Sequence, residues 1–342
     1  MKILLTGASG FAGAHMLKYL LSETNSNIIC PVTYKHGGHK DRIPTLVPPH
    51  ELGRVHIFEH DLALDALPEN EITRDIDLII NFASESHVDR SIVSPIDFSL
   101  NNTNLMINLL EFARNKKNLY FVHISTDEVY GSIPEGESNR EWERPHLPSN
   151  PYSASKSAQE SMAIAYFKTY QIPLAIINST NMIGETQNQE KFLPKVINRI
   201  EHDYSINIDT NDAGVIGTRK YVHVWDVAHA VWLSALELFN SRAHLSRSDL
   251  PLRFHISGAE EISNLDLVVY VGEFLNKEPN LTISPSPRPG YDLRYELSTE
   301  RIRALGWSEK KPIKEQIGEI VRWTVSNTKW LFIDYEDPQT AQ

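Results

Sequence analysis

A chain of 342 residues with 41% hydrophobic and 23% charged side chains has room for about two domains and enough apolar matter to bury a core, which excludes wholesale disorder. Its 33 basic and 44 acidic residues leave a formal net charge of −11, and no basic run interleaved with aromatics offsets it, so nucleic acid is excluded as a partner. No apolar stretch nears the roughly 20 residues that span a bilayer, Cys30 is alone, and Met1-Lys2 leads straight into Ile3-Leu4-Leu5 without the regions of a secretory leader. The expected location is the cytoplasm.

In chain order, short apolar runs alternate with longer amphipathic segments, the pattern of βαβ units around a parallel sheet. Strands are predicted over 2–6, 27–33, 54–60, 77–83, 119–125 and 174–179, and helices over 12–23, 98–116 and 152–170. The stretches 44–49 and 134–151 are Pro-rich and read as irregular. Beyond Ser179 the alternation loosens, and helices are predicted over 192–202, 227–239, 265–275 and 313–326. The polar end, 334–342, reads as a frayed tail. The closest histidine spacings, His36/His39 and His56/His60, fall in a Gly-rich loop and a strand without a Cys or carboxylate cluster, so no metal is expected.

Three groups of residues carry chemistry. The first strand runs into Gly7-Ala8-Ser9-Gly10-Phe11-Ala12-Gly13 and then a helix. Gly7 suits the tight turn, Gly10 a close approach to a pyrophosphate, and Gly13 close packing of helix on strand, with the helix N-terminus facing the phosphates. Next, Ser125-Thr126-Asp127-Glu128-Val129-Tyr130-Gly131 places a hydroxyl and two carboxylates at the C-terminal edge of a central strand, where open α/β sheets bind ligands. Adjacent carboxylates in a partly desolvated site separate in pKa, one a base and the other an acid. Finally, Tyr152 and Lys156 lie at i and i+4 on one helix face, where an ammonium lowers the pKa of a neighbouring phenol and can bind a ribose.

Together these motifs resemble the extended short-chain dehydrogenase/reductase superfamily, and the Thr126-Asp127-Glu128 set resembles the dTDP-glucose 4,6-dehydratases within it. The likeness extends through Ala83–Ser91, Asn181, Glu190–Pro194, Arg288-Pro289-Gly290 and Leu305-Gly306-Trp307, from about residue 1 to 330. It implies an α/β fold, a Rossmann-type doubly wound parallel sheet with a smaller mixed α/β domain. The dinucleotide-binding part would comprise 1–179 and about 216–257, and the nucleotide-sugar part about 180–215 and 258–330. It also implies the reaction: oxidation of a nucleotide-diphosphate hexose at carbon 4, loss of water across carbons 5 and 6, and return of hydride to carbon 6.

Thr126 would then bond the 4-hydroxyl beside Tyr152, Asp127 would protonate the departing 6-hydroxyl, Glu128 would take the carbon 5 proton, and Lys156 would hold the ribose and tune Tyr152. Gly7, Gly10, Phe11, Gly13, Thr33, Lys35, Asp61, Leu62, Ala83 and Asn102 would complete the cofactor site. Glu85 and Ser86 would line the sugar pocket, while Asn181, Lys191, Arg219 and Arg288 would hold the diphosphate. A homodimer is implied through the helices over 98–116 and 152–170, the first of which carries Leu105, Ile107, Leu109, Leu110 and Phe112, more apolar positions than one core-facing stripe requires.

The chain departs from this pattern in two places. No acid follows the second strand in Ile28–Tyr34, and Thr33, Lys35, His36, Lys40 and Arg42 stand nearby, which favours NADP slightly over NAD. Around Ile208-Asp209-Thr210 there is no aromatic to stack on a base, His255 replaces an Asn, and Tyr291 a His, so the base stays open. A 4-epimerase or decarboxylase of the same superfamily is the alternative enzyme, against which the Asp127-Glu128 pair speaks. A non-catalytic nicotinamide-binding regulator is the alternative of another class; such a protein could have lost Thr126, Tyr152 and Lys156, and all three are present.

Overall fold

A computed structural model describes residues 1–241, 245, 248–286 and 289–331; Arg288 and the segment 334–342 lie outside them. The strands are β1 (Lys2–Thr6), β2 (Asn27–Val32), β3 (Val55–Glu59), β4 (Leu78–Asn81), β5 (Tyr120–Thr126), β6 (Leu174–Ser179), β7 (Met182–Ile183), β8 (Ile206–Thr210), β9 (Thr218–Lys220), β10 (Val222–His223), β11 (Leu252–Ile256), β12 (Glu261–Ser263) and β13 (Leu281–Pro285). The helices are α1 (Phe11–Glu23), α2 (Arg42–Leu46), α3 (Val88–Val93), α4 (Pro95–Arg114), α5 (Pro151–Tyr170), α6 (Phe192–Glu201), α7 (Val224–Asn240), α8 (Asn264–Leu275), α9 (Glu300–Ala304) and α10 (Ile313–Ser326).

Seven strands form one parallel sheet in the order β3-β2-β1-β4-β5-β6-β11. The near-continuous apolar runs of β1, β4 and β6 are buried, as a sheet covered by helices on both faces demands. The strand order reverses between β1 and β4, and a ligand crevice opens at such a switch point, beyond the carboxyl ends of the strands. The fold is thus the expected Rossmann-type one. A second buried cluster unites Leu193, Val196 and Ile197 of α6, Leu267, Val268 and Val271 of α8, and Ile317, Ile320 and Val321 of α10, and β8 pairs with β13 beside it.

Three local differences have physical causes. The seventh strand, β11, carries Arg253 and His255, which read as polar; both are buried, 2% and 0% exposed, because Glu160 and Tyr130 satisfy them from α5 and the turn after β5. Part of the Pro-rich 44–49 stretch is the end of α2. Helix α4 begins at Pro95, which suits a first-turn position where no N–H is needed. Leu105, Leu109, Leu110 and Phe112 of α4 are all buried in the main core, so they are not the surplus apolar face expected; the exposed large apolar side chains of α4 are Ile96 and Leu100. Among the described residues, no helix is long and apolar enough to cross a membrane.

Candidate active site

A crevice of about 1130 Å³ opens at the carboxyl ends of β1, β4 and β5 and is walled on its far side by α6, β8, Arg219 and Tyr295. Its floor begins at the glycine turn. Gly7 is left-handed at φ +72°, and a Cβ there would lie 2.8 Å from the Ala83 backbone nitrogen; a Cβ on Gly13 would lie 2.2 Å from the Gly7 carbonyl. Side chains are thereby excluded, and α1 rests on β1. Gly10 caps α1 with no side-chain bond, and no acid occupies the first turn, so the unpaired N–H groups and positive helix end face the crevice. That cradle fits the pyrophosphate of a dinucleotide.

Phe11, Thr33, Lys35, Asp61, Leu62 and Ala83 line the same crevice. Asn102 does not line it. It is fully buried, accepts from the Glu85 backbone at 2.8 Å, and donates to the Glu85 carbonyl at 3.0 Å and to Ser155 at 2.9 Å. It therefore fastens the loop after β4 to α5 and is a structural residue. Two of the cations offered for a 2′-phosphate are also engaged. Arg42 is fully buried and donates to the carbonyls of Ser9 (2.6 Å), Gly37 (2.8 Å) and Thr186 (3.1 Å), while Lys35 pairs with Asp61 at 2.8 Å.

The catalytic candidates converge where β5 ends. Thr126 caps a single 3₁₀ turn, Asp127–Tyr130, accepting from the Glu128 backbone at 3.3 Å and donating to Asp127 Oδ1 at 3.0 Å. Asn178 on β6 holds the Thr126 carbonyl at 3.0 Å. The Asp127 side chain is buried, its Oδ2 has no hydrogen-bond partner among the described residues, and burial with the neighbouring Glu128 pushes its pKa up to about 8. At neutral pH this carboxyl is protonated. A capping box from Asn150 and Ser153 starts α5, which presents Tyr152 and Lys156 to the crevice.

One expectation reverses here. Tyr152 is pushed well above the usual phenol range by burial and by Glu128, against a hydrogen bond with Thr126 that pulls down. Lys156 gives two of its protons to the Ile124 carbonyl (2.8 Å) and Gln159 Oε1 (2.7 Å). Burial lowers Lys156 itself to about 7, with Glu160 opposing.

The substrate candidates Glu85, Ser86, Asn181, Lys191 and Arg219 also line the crevice. The Glu85 carboxylate, however, is drawn to Arg90 at 3.1 Å and His36 at 3.4 Å. Lys191 donates to the Ser86 carbonyl at 2.8 Å. Arg219 stacks on Tyr295 at 4.9 Å and donates to the Thr218, Leu293 and Asp292 carbonyls. Tyr295 and Gln159 escaped the sequence reading. Only Gln159, three residues past Lys156 on a helix, left a signal there.

The model of the NAD dependent epimerase/dehydratase family matches residues 3–244. The chain belongs to that family. It is 31% identical to dTDP-glucose 4,6-dehydratase 1 of Escherichia coli over 97% of this chain and 94% of that one. A crystal structure of the dTDP-glucose 4,6-dehydratase of Streptomyces venezuelae, with NAD and TYD bound, superposes with a TM-score of 0.81 at 28% identity, covering 96% and 98% of the two chains. The UDP-glucuronic acid 4-epimerase of Bacillus cereus superposes with a TM-score of 0.83 at 22% identity, covering 96% and 100%, and so shares the fold alone. Fold likeness does not separate the family's chemistries.

Proposed function

We propose that this family member is a nucleotide-sugar 4,6-dehydratase that uses NAD, with the dinucleotide held by 1–179 and about 216–257 and the sugar nucleotide by about 180–215 and 258–330. One observation carries this reading: beside the oxidising set Thr126, Tyr152 and Lys156 stands a buried carboxyl with an unpartnered Oδ2, Asp127, next to a second carboxylate, Glu128. An epimerase needs only the oxidising set. Elimination needs an acid and a base as well. The glycine cradle fits the pyrophosphate, and Arg42 and Lys35, two of the cations near the second strand, are already engaged. NAD, also present in the S. venezuelae enzyme, is therefore the better fit than NADP.

In the proposed reaction, Tyr152 takes the proton of the sugar's 4-hydroxyl, steadied by Thr126. A nicotinamide bound beside Tyr152 and Lys156 would supply the acceptor for the carbon 4 hydride and later the donor of that hydride to carbon 6. Lys156 holds the ribose and adds positive charge to the same corner. Once carbon 4 is a ketone, the carbon 5 proton is acidic, and Glu128 removes it. Asp127, still protonated at neutral pH, gives its proton to the 6-hydroxyl, which leaves as water; carbon 6 then takes the hydride back while Glu128 returns a proton to carbon 5, which gives the 4-keto-6-deoxy product. Lys191, Asn181, Arg219 and Arg288 hold the diphosphate, and Ser86 the sugar. Two chains pair through α4 and α5, where Ile96 and Leu100 of α4 are exposed and α5 offers small outward residues, Ala154, Ser161 and Ala165, that permit close approach. The test is isotopic: deuterium at carbon 4 of a nucleotide glucose reappears at carbon 6 of a 4-keto-6-deoxy product. Return of the label to carbon 4 with inverted configuration sinks the proposal in favour of epimerisation.

A further inference from the structure

Lys156 is 3% exposed, and two of its three donors are committed, one to the Ile124 carbonyl and one to Gln159 Oε1 at 2.7 Å. Gln159 is itself fully buried, and its Nε2 donates to the Asn102 carbonyl at 2.7 Å. A carbonyl only accepts. The amide therefore cannot be turned round, since Nε2 must face Asn102 and Oε1 must face Lys156. Asn102 is in turn anchored through its side chain to Glu85 and Ser155. An unbroken run of bonds thus leads from the loop after β4, across α4, to the lysine of α5.

We infer that Gln159 is a positioning residue for Lys156: its locked amide fixes the ammonium in the crevice beside Tyr152 and offers it a neutral acceptor in place of a carboxylate. This rests on the reading of Tyr152 and Lys156 as the oxidising pair. The charged groups around Lys156 are accounted for. Glu160, next on α5, turns its carboxylate to Arg253 of β11 at 2.6 Å and to His146 at 3.3 Å. His123 of β5 is held uncharged, well below the usual imidazole range, by burial and by Lys156. The two groups that accept from the ammonium among the described residues, a backbone carbonyl and an amide, are neutral. Burial can consequently lower Lys156 to about 7, where a bonded carboxylate would hold it charged far into the alkaline range.

The test compares full-length wild type, Gln159→Met and Gln159→Glu, each loaded with NAD. The ¹⁵Nζ resonance of Lys156, assigned by its loss in Lys156→Met, is titrated without substrate, and the pH dependence of sugar oxidation is followed separately. Gln159→Met keeps the volume without either bond, and the titration midpoint moves down by roughly one pH unit, the weight of a hydrogen bond to a buried charge. Gln159→Glu moves it up. The alkaline limb of oxidation follows the midpoint in each variant, with kcat altered more than KM. Identical midpoints in all three proteins, with only melting temperature changed, would overturn the inference and leave Gln159 as packing. Shifted midpoints in a protein whose wild type oxidises no nucleotide hexose would uphold the positioning role and defeat the dehydratase reading.

Discussion

At the scale of the residue, the site divides its labour between groups that differ in burial. Glu128 acts only after oxidation, so Glu128→Gln still oxidises the sugar while elimination slows by roughly 10²–10⁴-fold, the weight of a lost general base. The oxidised sugar and the reduced cofactor then build up together and are read by absorbance. Tyr152→Phe gives neither. Asp127 supplies a pH signature: its proton is present below about 8, so elimination falls as pH rises through that value, and Asp127→Asn removes this limb along with most of the rate. The stability consequence has a definite sign. The folded state keeps a proton that the unfolded chain releases near 3.8, so Asp127 lowers stability progressively as pH rises from 3.8 to about 8. Thermal melts at pH 8.5, about half a unit above that range, accordingly show Asp127→Asn melting higher than wild type; an unchanged or lower melting temperature contradicts the raised pKa.

At the scale of the element, the turn from β1 to α1 decides whether a cofactor can bind at all. Because a Cβ at position 13 meets the Gly7 carbonyl at 2.2 Å, Gly13→Ala forces α1 off β1 and misaims its N–H groups. Overpacking of this kind costs about 1–3 kcal/mol, and calorimetry is expected to show at least a tenfold loss of NAD affinity, about 1.4 kcal/mol. Full affinity in that variant rules out the proposed cradle. Helix α5 has a second duty behind the site. Glu160 and Arg253 form a buried pair at 2.6 Å, joined through Asn178 to both Glu160 and the Thr126 carbonyl, and through Arg253 to Tyr130 at 2.7 Å. Arg253→Met strands the Glu160 charge and is expected to cost about 3–5 kcal/mol in urea unfolding, a loss that Arg253→Met with Glu160→Gln largely recovers.

At the scale of the whole molecule, the crevice lies between two separate hydrophobic clusters, so the reacting groups of β5 and α5 face a wall built by different elements. Arg219, Tyr295 and Lys191 belong to that wall or its rim, while Thr126, Asp127 and Glu128 belong to the sheet edge. Ordering a nucleotide sugar between them requires both. The proposed pairing through α4 and α5 predicts a particle of twice 38.9 kDa by light scattering at micromolar concentration. Leu100→Lys and Ile96→Glu, at exposed positions, would halve that mass without unfolding the chain if the surface is the interface; a 38.9 kDa wild type removes the dimer.

What the sequence determined by itself is what neighbouring residues decide. Six strands and the long helices follow from apolar periodicity and turn residues, and the glycine cradle, the Thr126–Glu128 run and the Tyr152/Lys156 pair are contiguous or one helical turn apart. Tertiary structure alone decided whatever depends on partners far along the chain and on loss of water. Arg253 and His255 became strand residues because Glu160 and Tyr130 meet them; Arg42 left the cofactor's reach for the carbonyls of Ser9 and Thr186; four apolar residues of α4 went to the core. The direction of each pKa at the site belongs to the same class, since Tyr152 rises and Lys156 falls through desolvation, which no local pattern of residues encodes.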